Sequence, residues 1–105
     1  MNLPSVILNL LIANDNFESH SYAHCFTETA LVLDEGKTYE GKIEIQNWIE
    51  KVNQDYKTVM KPLEYSAEKK ILKCEVSGTF PGSPIILNYE FTIVGGLIES
   101  LFIKG

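Results

Sequence analysis

Arginine is absent from the 105-residue sequence, and nine lysines face fourteen aspartates and glutamates, so the formal net charge is −5. Affinity for nucleic acid comes largely from basic side chains that neutralise phosphates, and this balance therefore argues against a nucleic-acid partner. The missing guanidinium groups also remove the bidentate donor that carboxylate and phosphate ligands favour. We therefore expect a small, neutral and apolar ligand rather than an anionic one.

Cysteine and long apolar runs are also scarce. The sequence has two cysteines, Cys25 and Cys74, which are too few for a secreted domain stabilised by disulfide bonds. We therefore expect both thiols to be reduced and buried. The apolar stretch of residues 1–13 is too short to span a bilayer and lacks the basic start of a signal peptide. The sequence therefore predicts a cytoplasmic protein with no membrane partner. Its length suits one domain, residues 1–105.

Residues that could hold a metal are few. His20 and His24 are four positions apart, a spacing that can place two imidazoles on one helix face. They are accompanied by neither the glutamate of an HExxH motif nor an obvious third ligand, so we interpret them as a solvated helix face. No helix is predicted after Gly95-Gly96, which excludes a phosphate-binding loop there. We predict no metal and no cofactor.

Apolar periodicity predicts three helices in the first half of the chain. The first begins near Pro4 and ends at the polar triplet 14–16, which can cap a second, short helix ending near Cys25. The third follows Gly41. The first helix is predicted to bury Val6, Ile7, Leu8, Leu10, Leu11 and Ile12. The third is predicted to bury a stripe of Ile45, Trp48, Ile49, Val52 and Tyr56.

Alternating apolar and polar residues predict five strands and an α+β fold. The predicted strands cover residues 29–34, 59–68, 72–80, 87–93 and 97–104. Residues 35–37 form a turn after the first strand, and Gly95-Gly96 forms a tight hairpin before the last. Strands that follow one another directly pair antiparallel, so we expect a curved, mostly antiparallel sheet with the helices packed on one face.

Three segments carry a resemblance to a known family. Residues 26–36 (Phe-Thr-Glu-Thr-Ala-Leu-Val-Leu-Asp-Glu-Gly), Tyr39-Glu40-Gly41 and Ile45-Gln46-Asn47-Trp48 resemble the nuclear transport factor 2-like superfamily, nearest its SnoaL-like and ketosteroid isomerase-like branch. Residues 76–84 fit a bacterial subgroup. The resemblance implies a cone-shaped, cystatin-like sheet with three helices on its concave face, a pocket between them and usually a homodimer. This fold serves isomerases, cyclases, hydrolases and non-catalytic binders, so it does not decide the function.

Asp34 is the residue that we expect to be catalytic. The resemblance places it where ketosteroid isomerases hold their general base, and strand alternation puts it on one face with Ala30 and Val32. Burial in an apolar cavity raises the pKa of a carboxyl group, which suits proton transfer near neutral pH. In the alternative interpretation, Asp34 opens the turn at residues 34–36 and bonds backbone amides.

The other catalytic positions of the family are not matched. The tyrosine that the isomerase carries in its first helix falls at Ile7 or a neighbour, and no tyrosine precedes Tyr22. The isomerase's second donor falls near Leu87 or Asn88. SnoaL-type cyclases place an acid/base aspartate in that same region, where only Glu90 is acidic. The absence of arginine excludes the epoxide-hydrolase branch.

The predicted pocket follows from the helix stripes and from the inward positions of the strands. Its lining residues are Leu11, Phe26, Val32, Trp48, Val52, Tyr65, Val76, Leu87, Tyr89 and Phe91. One function that remains open is an isomerase or cyclase in which Asp34 moves a proton on a neutral carbonyl compound. The other is a non-catalytic dimeric module that binds a hydrophobic molecule or only dimerises around a filled cone.

Apolar side chains also occupy outward positions of the predicted sheet. They are Leu31, Leu33, Ile86, Val94 and Phe102. Together they would form a larger apolar patch than soluble monomers usually expose. Pairing two sheets face to face around a two-fold axis would bury this patch. We therefore predict a homodimer through the outer face of the sheet.

Overall fold

Three helices and six strands form the chain, which the computed structural model describes from Met1 to Gly105. In chain order they are α1 (Ser5–Asp15), α2 (Ser19–Ala23), β1 (Phe26–Asp34), β2 (Lys37–Glu40), α3 (Gly41–Tyr56), β3 (Val59–Ser66), β4 (Ile71–Ser77), β5 (Ile85–Val94) and β6 (Leu97–Lys104). The strands form one sheet in the order β2-β1-β6-β5-β4-β3, in which only β1 and β6 are parallel. The predicted α+β class is confirmed. None of the helices combines the length and apolar character needed to cross a membrane.

Helix α1 packs one side against the core and is fastened at its end to β3. Its predicted burial is wrong for Leu8 and Ile12, which are 48% and 51% exposed. Consecutive helical positions differ by about 100°, so these two point away from the sheet that covers their neighbours.

At the end of the helix, Asn14 Nδ2 donates to the backbone oxygen of Thr58 at 3.2 Å. The amide of Met60 donates to Asp15 Oδ1 at 2.9 Å.

Strand β2 is absent from the sequence-based prediction, which treats residues 35–37 only as a turn. Glu35 and Gly36 both have positive φ, 52° and 76°. A two-residue loop with positive φ at both positions is the hairpin turn that matches the twist of antiparallel strands. The hairpin pairs Val32 with Tyr39 and thereby brings Tyr39 to the inner face. Four mostly polar residues carry too little alternation to predict this strand.

The core lies between the helices and the inner face of the sheet. Inward residues meet across neighbouring strands, as Leu72 does with Tyr89 and Phe91 with Leu101. Of the predicted α3 stripe, Ile45 and Ile49 are buried. Trp48 and Val52 are half-buried. The predicted burial is wrong for Tyr56, the last residue of α3, which is 42% exposed.

Gly78 follows β4 where the chain passes under the end of α3. A Cβ atom at this position would lie 2.5 Å from the backbone oxygen of Tyr56, which also accepts the amide of Thr79 at 2.8 Å. Gly78→Ala is expected to push the two segments apart and lower the free energy of unfolding by about 1–3 kcal/mol. Urea denaturation measures this loss. Equal stability of the variant and the wild type would contradict the close approach.

Candidate functional site

A cavity of about 770 Å³ lies between α3 and the inner face of the sheet. This volume is within the range of pockets that take small molecules. Six aromatic side chains line it: Tyr22, Tyr39, Trp48, Tyr56, Phe80 and Tyr89. Aliphatic side chains, among them Val52, Val76 and Leu87, share the remaining wall with polar and charged residues.

Trp48 is the centre of the aromatic part of the wall. Its ring stacks on Tyr39, with centroids 5.3 Å apart and an interplanar angle of 25°. Its contact with Tyr22 is edge-on, at 6.1 Å and 64°. These contacts join α3 to β2 and to α2. Aromatic pairs of this kind are favourable beyond their buried area, so they hold the rings in place around the cavity.

Asp34 ends β1, and its half-buried side chain lies on the cavity wall. Burial raises the pKa of its carboxyl group from 3.8 to about 6, and the negative charge of the neighbouring Glu35 adds to the rise. No lysine forms an ion pair with Asp34, since the ion pairs of the structure join Lys42 to Glu28, Lys51 to Asp55 and Lys104 to Glu90. This carboxylate therefore has no fixed countercharge in the site.

The alternative role of Asp34, bonding the amides of the turn that follows it, is not what the structure shows. The side-chain hydrogen bonds that reach carboxylates end on Asp15, Glu44, Glu50 and Glu99, and none ends on Asp34. A hydrogen bond to the carboxylate would lower the pKa instead. The carboxylate oxygens are consequently free to accept a proton from a molecule in the cavity.

Tyr22 and Tyr89 bring two phenol groups to the same cavity. Tyr22 is 1% exposed and Tyr89 is 5% exposed. Burial is the main cause that raises the pKa of both phenols, followed by neighbouring ionisable thiol and phenol groups, and the charge of Asp34 contributes least. Both therefore keep their protons at physiological pH. A neutral phenol can donate a hydrogen bond, so the cavity contains a carboxylate that can accept a proton and hydroxyls that can stabilise an oxyanion.

The structure brings about half of the predicted site residues together. Asp34 and five of the ten predicted lining residues are on the cavity wall: Trp48, Val52, Val76, Leu87 and Tyr89. The structure corrects the prediction for the other five. Leu11, Phe26, Val32 and Phe91 are buried in the core, and Tyr65 packs half-buried against it. Strand alternation shows which face a residue occupies but not whether a helix covers that part of the face.

Sequence reasoning overlooked Tyr22 and Tyr39 as parts of the site. Tyr22 precedes Phe26 by four residues, and their ring centroids are 5.7 Å apart, but α2 has only five residues and too little periodicity to show which side is buried. The position of Tyr39 could have been predicted from the glycine-containing turn at residues 35–36, if that turn had been interpreted as the loop of a hairpin. Its register with Val32 then predicts the inner face.

The charged side chains on the cavity wall are mostly acidic. They are Asp34, Glu35, Glu44, Asp55, Lys37 and Lys51. Lys51 is held by Asp55 at 3.1 Å. A wall with more carboxylates than ammonium groups repels anions and leaves neutral molecules unaffected.

Comparison with known proteins gives structural relatives. No family model and no curated protein matches the sequence. A Sinorhizobium meliloti protein provisionally classed as a polyketide cyclase is 33% identical, with a TM-score of 0.90 over 97% of this chain and 95% of that one. A ketosteroid isomerase-like protein of Catenulispora acidiphila, solved with trimethylamine, is 15% identical, with a TM-score of 0.86 over 99% and 87% of the two chains.

A third relative shows the same fold. It is a nuclear transport factor 2-like protein of Cytophaga hutchinsonii, 16% identical, with a TM-score of 0.76 over 94% of this chain and 85% of that one. The likeness to the Sinorhizobium protein extends over nearly the whole of both chains. This chain therefore belongs to the SnoaL-like proteins of the nuclear transport factor 2-like superfamily.

Proposed function

We propose that the protein binds a small, neutral carbonyl compound in the cavity and that Asp34 moves a proton on it, as an isomerase or cyclase does. The observation that carries this proposal is the half-buried, unpaired carboxylate of Asp34 on the wall of an aromatic cavity. A general base is most effective when its pKa is near the working pH, and burial moves Asp34 in that direction. The charged side chains on the wall are mostly carboxylates, which supports a neutral ligand over an anionic one.

The proposed chemistry needs only a base and a donor. Asp34 removes a proton from the carbon next to the carbonyl group, and the electron pair of the broken C–H bond moves onto the carbonyl oxygen. The phenol of Tyr22 or Tyr89 donates a hydrogen bond to this oxygen. Asp34 then returns the proton to another carbon, which isomerises the substrate. In the cyclase alternative, the enolate carbon attacks a second carbonyl group and closes a ring, and the alkoxide that forms takes the proton back from Asp34. Such a donor typically contributes about 2.7–4 kcal/mol to the transition state.

Non-catalytic binding is the second candidate function. It is favoured by Ile7, a fully buried apolar residue in the region where the isomerase has its first-helix tyrosine. A binder needs the cavity but no proton transfer. The rate of α-proton exchange between the ligand and D₂O distinguishes the two candidates. Only an enzyme would catalyse this exchange at a rate that depends on Asp34.

A thermal-shift screen tests the ligand class. Neutral ketones, lactones and aromatic carbonyl compounds are expected to raise the melting temperature, since a ligand that binds only the folded state stabilises it. Phosphorylated compounds are expected to leave it unchanged. Val52→Trp should abolish the shift by filling the cavity, whereas Ile43→Trp, on the exposed side of the same helix, should preserve it. A shift with polyanions alone would contradict the proposal.

The outer face of the sheet is the proposed homodimer interface. Leu33 pairs with Phe102 of the neighbouring strand, and two positions along, on the same face, Leu31 pairs with Ser100. Ile86 lies on the same face and is 44% exposed. Glu90 and Lys104 form an ion pair of 3.0 Å beside these apolar side chains. An apolar patch with polar neighbours supports pairing of two copies through this face.

A further inference from the structure

Helix α2 carries both histidines of the chain, and the structure brings them into direct contact. The Nε2 atoms of His20 and His24 are 3.1 Å apart, a hydrogen-bond distance at which the protonated nitrogen of one ring donates to the other, and a metal ion would replace this proton. The ring centroids are 4.3 Å apart and the ring planes differ by 62°. The two rings therefore approach each other through their Nε2 edges. Both residues are exposed, so ions in solution can reach these nitrogens.

This separation suits chelation of one metal ion. Imidazole nitrogens bind at about 2.0–2.1 Å from zinc, so two of them are about 2.9 Å apart at a 90° angle and about 3.4 Å apart at a tetrahedral angle. The observed Nε2 separation of 3.1 Å lies between these values. We propose that His20 and His24 together bind a divalent transition-metal ion through their Nε2 atoms.

The surrounding structure holds the two rings close together. The amide of His24 donates to the carbonyl oxygen of His20 at 3.0 Å, which closes the helical turn between them. Between the histidines, the buried side chain of Tyr22 fixes α2 to the core. Ser19 Oγ donates to Glu50 Oε1 of α3 at 3.4 Å. The backbone of α2 is thus fixed before a metal binds, which limits the conformational entropy lost on binding to that of the two imidazole side chains.

The metal would be bound beside a second cavity of about 590 Å³. This cavity is formed by α1, α2 and the turn between β5 and β6, and it shares no residue with the aromatic cavity. Both histidines and Glu18 line it. Two imidazoles leave at least two coordination positions of the ion open, and water can fill them from this cavity. The site is therefore independent of the proposed function at Asp34.

The ligand atoms indicate which metal binds best. Imidazole nitrogen suits copper, nickel and zinc, whereas magnesium and calcium require oxygen ligands. The nearest thiol, Cys25, does not join the site, because its Sγ atom is directed at the carbonyl oxygen of Ser21 at 3.6 Å. A site of two nitrogens and water follows the general order of divalent affinities, in which Cu²⁺ binds more tightly than Ni²⁺ or Zn²⁺.

The test is a titration of the untagged protein with Cu²⁺, Ni²⁺ and Zn²⁺, followed by calorimetry and, for copper, by electron paramagnetic resonance. We expect one Cu²⁺ per chain with hyperfine splitting from two nitrogens. The chain has no other histidine, so the loss of splitting in the histidine variants identifies the ligands. His20→Gln and His24→Gln should each weaken Cu²⁺ binding by at least roughly tenfold and leave splitting from one imidazole.

Ser21→Ala is the matched control, because it changes the same helix and the same cavity wall without removing a proposed ligand. Its affinity for Cu²⁺ should equal that of the wild type. Melting curves in EDTA should coincide for all variants, which shows that the exposed substitutions leave the fold intact. Wild-type affinity in the His20→Gln/His24→Gln double variant, or a copper spectrum with oxygen ligands only, would overturn the proposal.

Discussion

Asp34→Asn is expected to slow α-proton exchange of a bound carbonyl compound by roughly 100- to 10,000-fold, the usual contribution of a general base. Asparagine keeps the size and much of the polarity of the side chain but cannot accept the proton. Nuclear magnetic resonance in D₂O measures the exchange rate directly. In the wild type this rate should rise with pH through about 6 and then level off, because burial raises the pKa of Asp34 to that value and only the ionised form is a base.

Glu90→Gln is the matched control for this experiment. Glu90 is the acidic residue that the family resemblance offers on a late strand, but its carboxylate pairs with Lys104 on the outer face. The Glu90→Gln substitution is therefore expected to leave the exchange rate unchanged. Full activity of Asp34→Asn would move the chemistry to another residue. Loss of exchange in Glu90→Gln alone would do the same.

Asp34→Asn also has a consequence for the stability of the protein. The folded state holds the Asp34 proton up to about pH 6, whereas the unfolded chain releases it near 3.8. The protonated carboxyl group therefore stabilises the folded state at low pH. This contribution to the free energy of unfolding is lost as the pH rises between these two values. Asp34→Asn should raise the free energy of unfolding at pH 7.5 by about 1 kcal/mol after allowance for solvent screening. The difference should vanish near pH 3.5, as denaturation at both pH values would show.

Phe102→Glu is expected to convert a homodimer into a monomer of 11.8 kDa. Phe102 is level with Leu33 on the outer face and directly opposite Glu90. A two-fold interface would bury the new carboxylate twice, and each copy would also face the like charge of Glu90 across the strands. Burial of unpaired charges is costly enough to separate the subunits. Sedimentation equilibrium at micromolar concentration measures the mass.

Ile43→Glu provides the comparison for the dimer test. It makes a similar apolar-to-acidic change on α3, at a residue that is 79% exposed and distant in sequence from the outer-face strands. This variant should remain a dimer. Circular dichroism and ligand-induced thermal shifts should match the wild type in both variants, since neither residue lines the cavity. A wild-type mass of 11.8 kDa would refute the proposed interface.

Local patterns in the sequence were sufficient for the elements of the fold. Alternation along β1 placed Ala30, Val32 and Asp34 on one face. The register of Val32 and Asp34 with β2 and β6 agrees with that placement, and Ala30 is fully buried. The 3.6-residue period of α3 identified Ile45 and Ile49 as buried. These predictions succeed because the side that a residue presents is set by the geometry of its own element. A short polar strand such as β2 carries no such pattern and was overlooked.

The candidate sites depend on tertiary structure, because they join residues that no local pattern relates. Tyr22 and Tyr89 are far apart in sequence, yet both line the cavity that holds Asp34. Phe26 and Val32 have the same inward orientation as Asp34 but are fully buried in the core. The spacing of His20 and His24 was visible in the sequence, whereas the contact between their nitrogens depends on side-chain rotamers. Periodicity determines which way a side chain points, and packing decides whether it meets another side chain, a cavity or solvent.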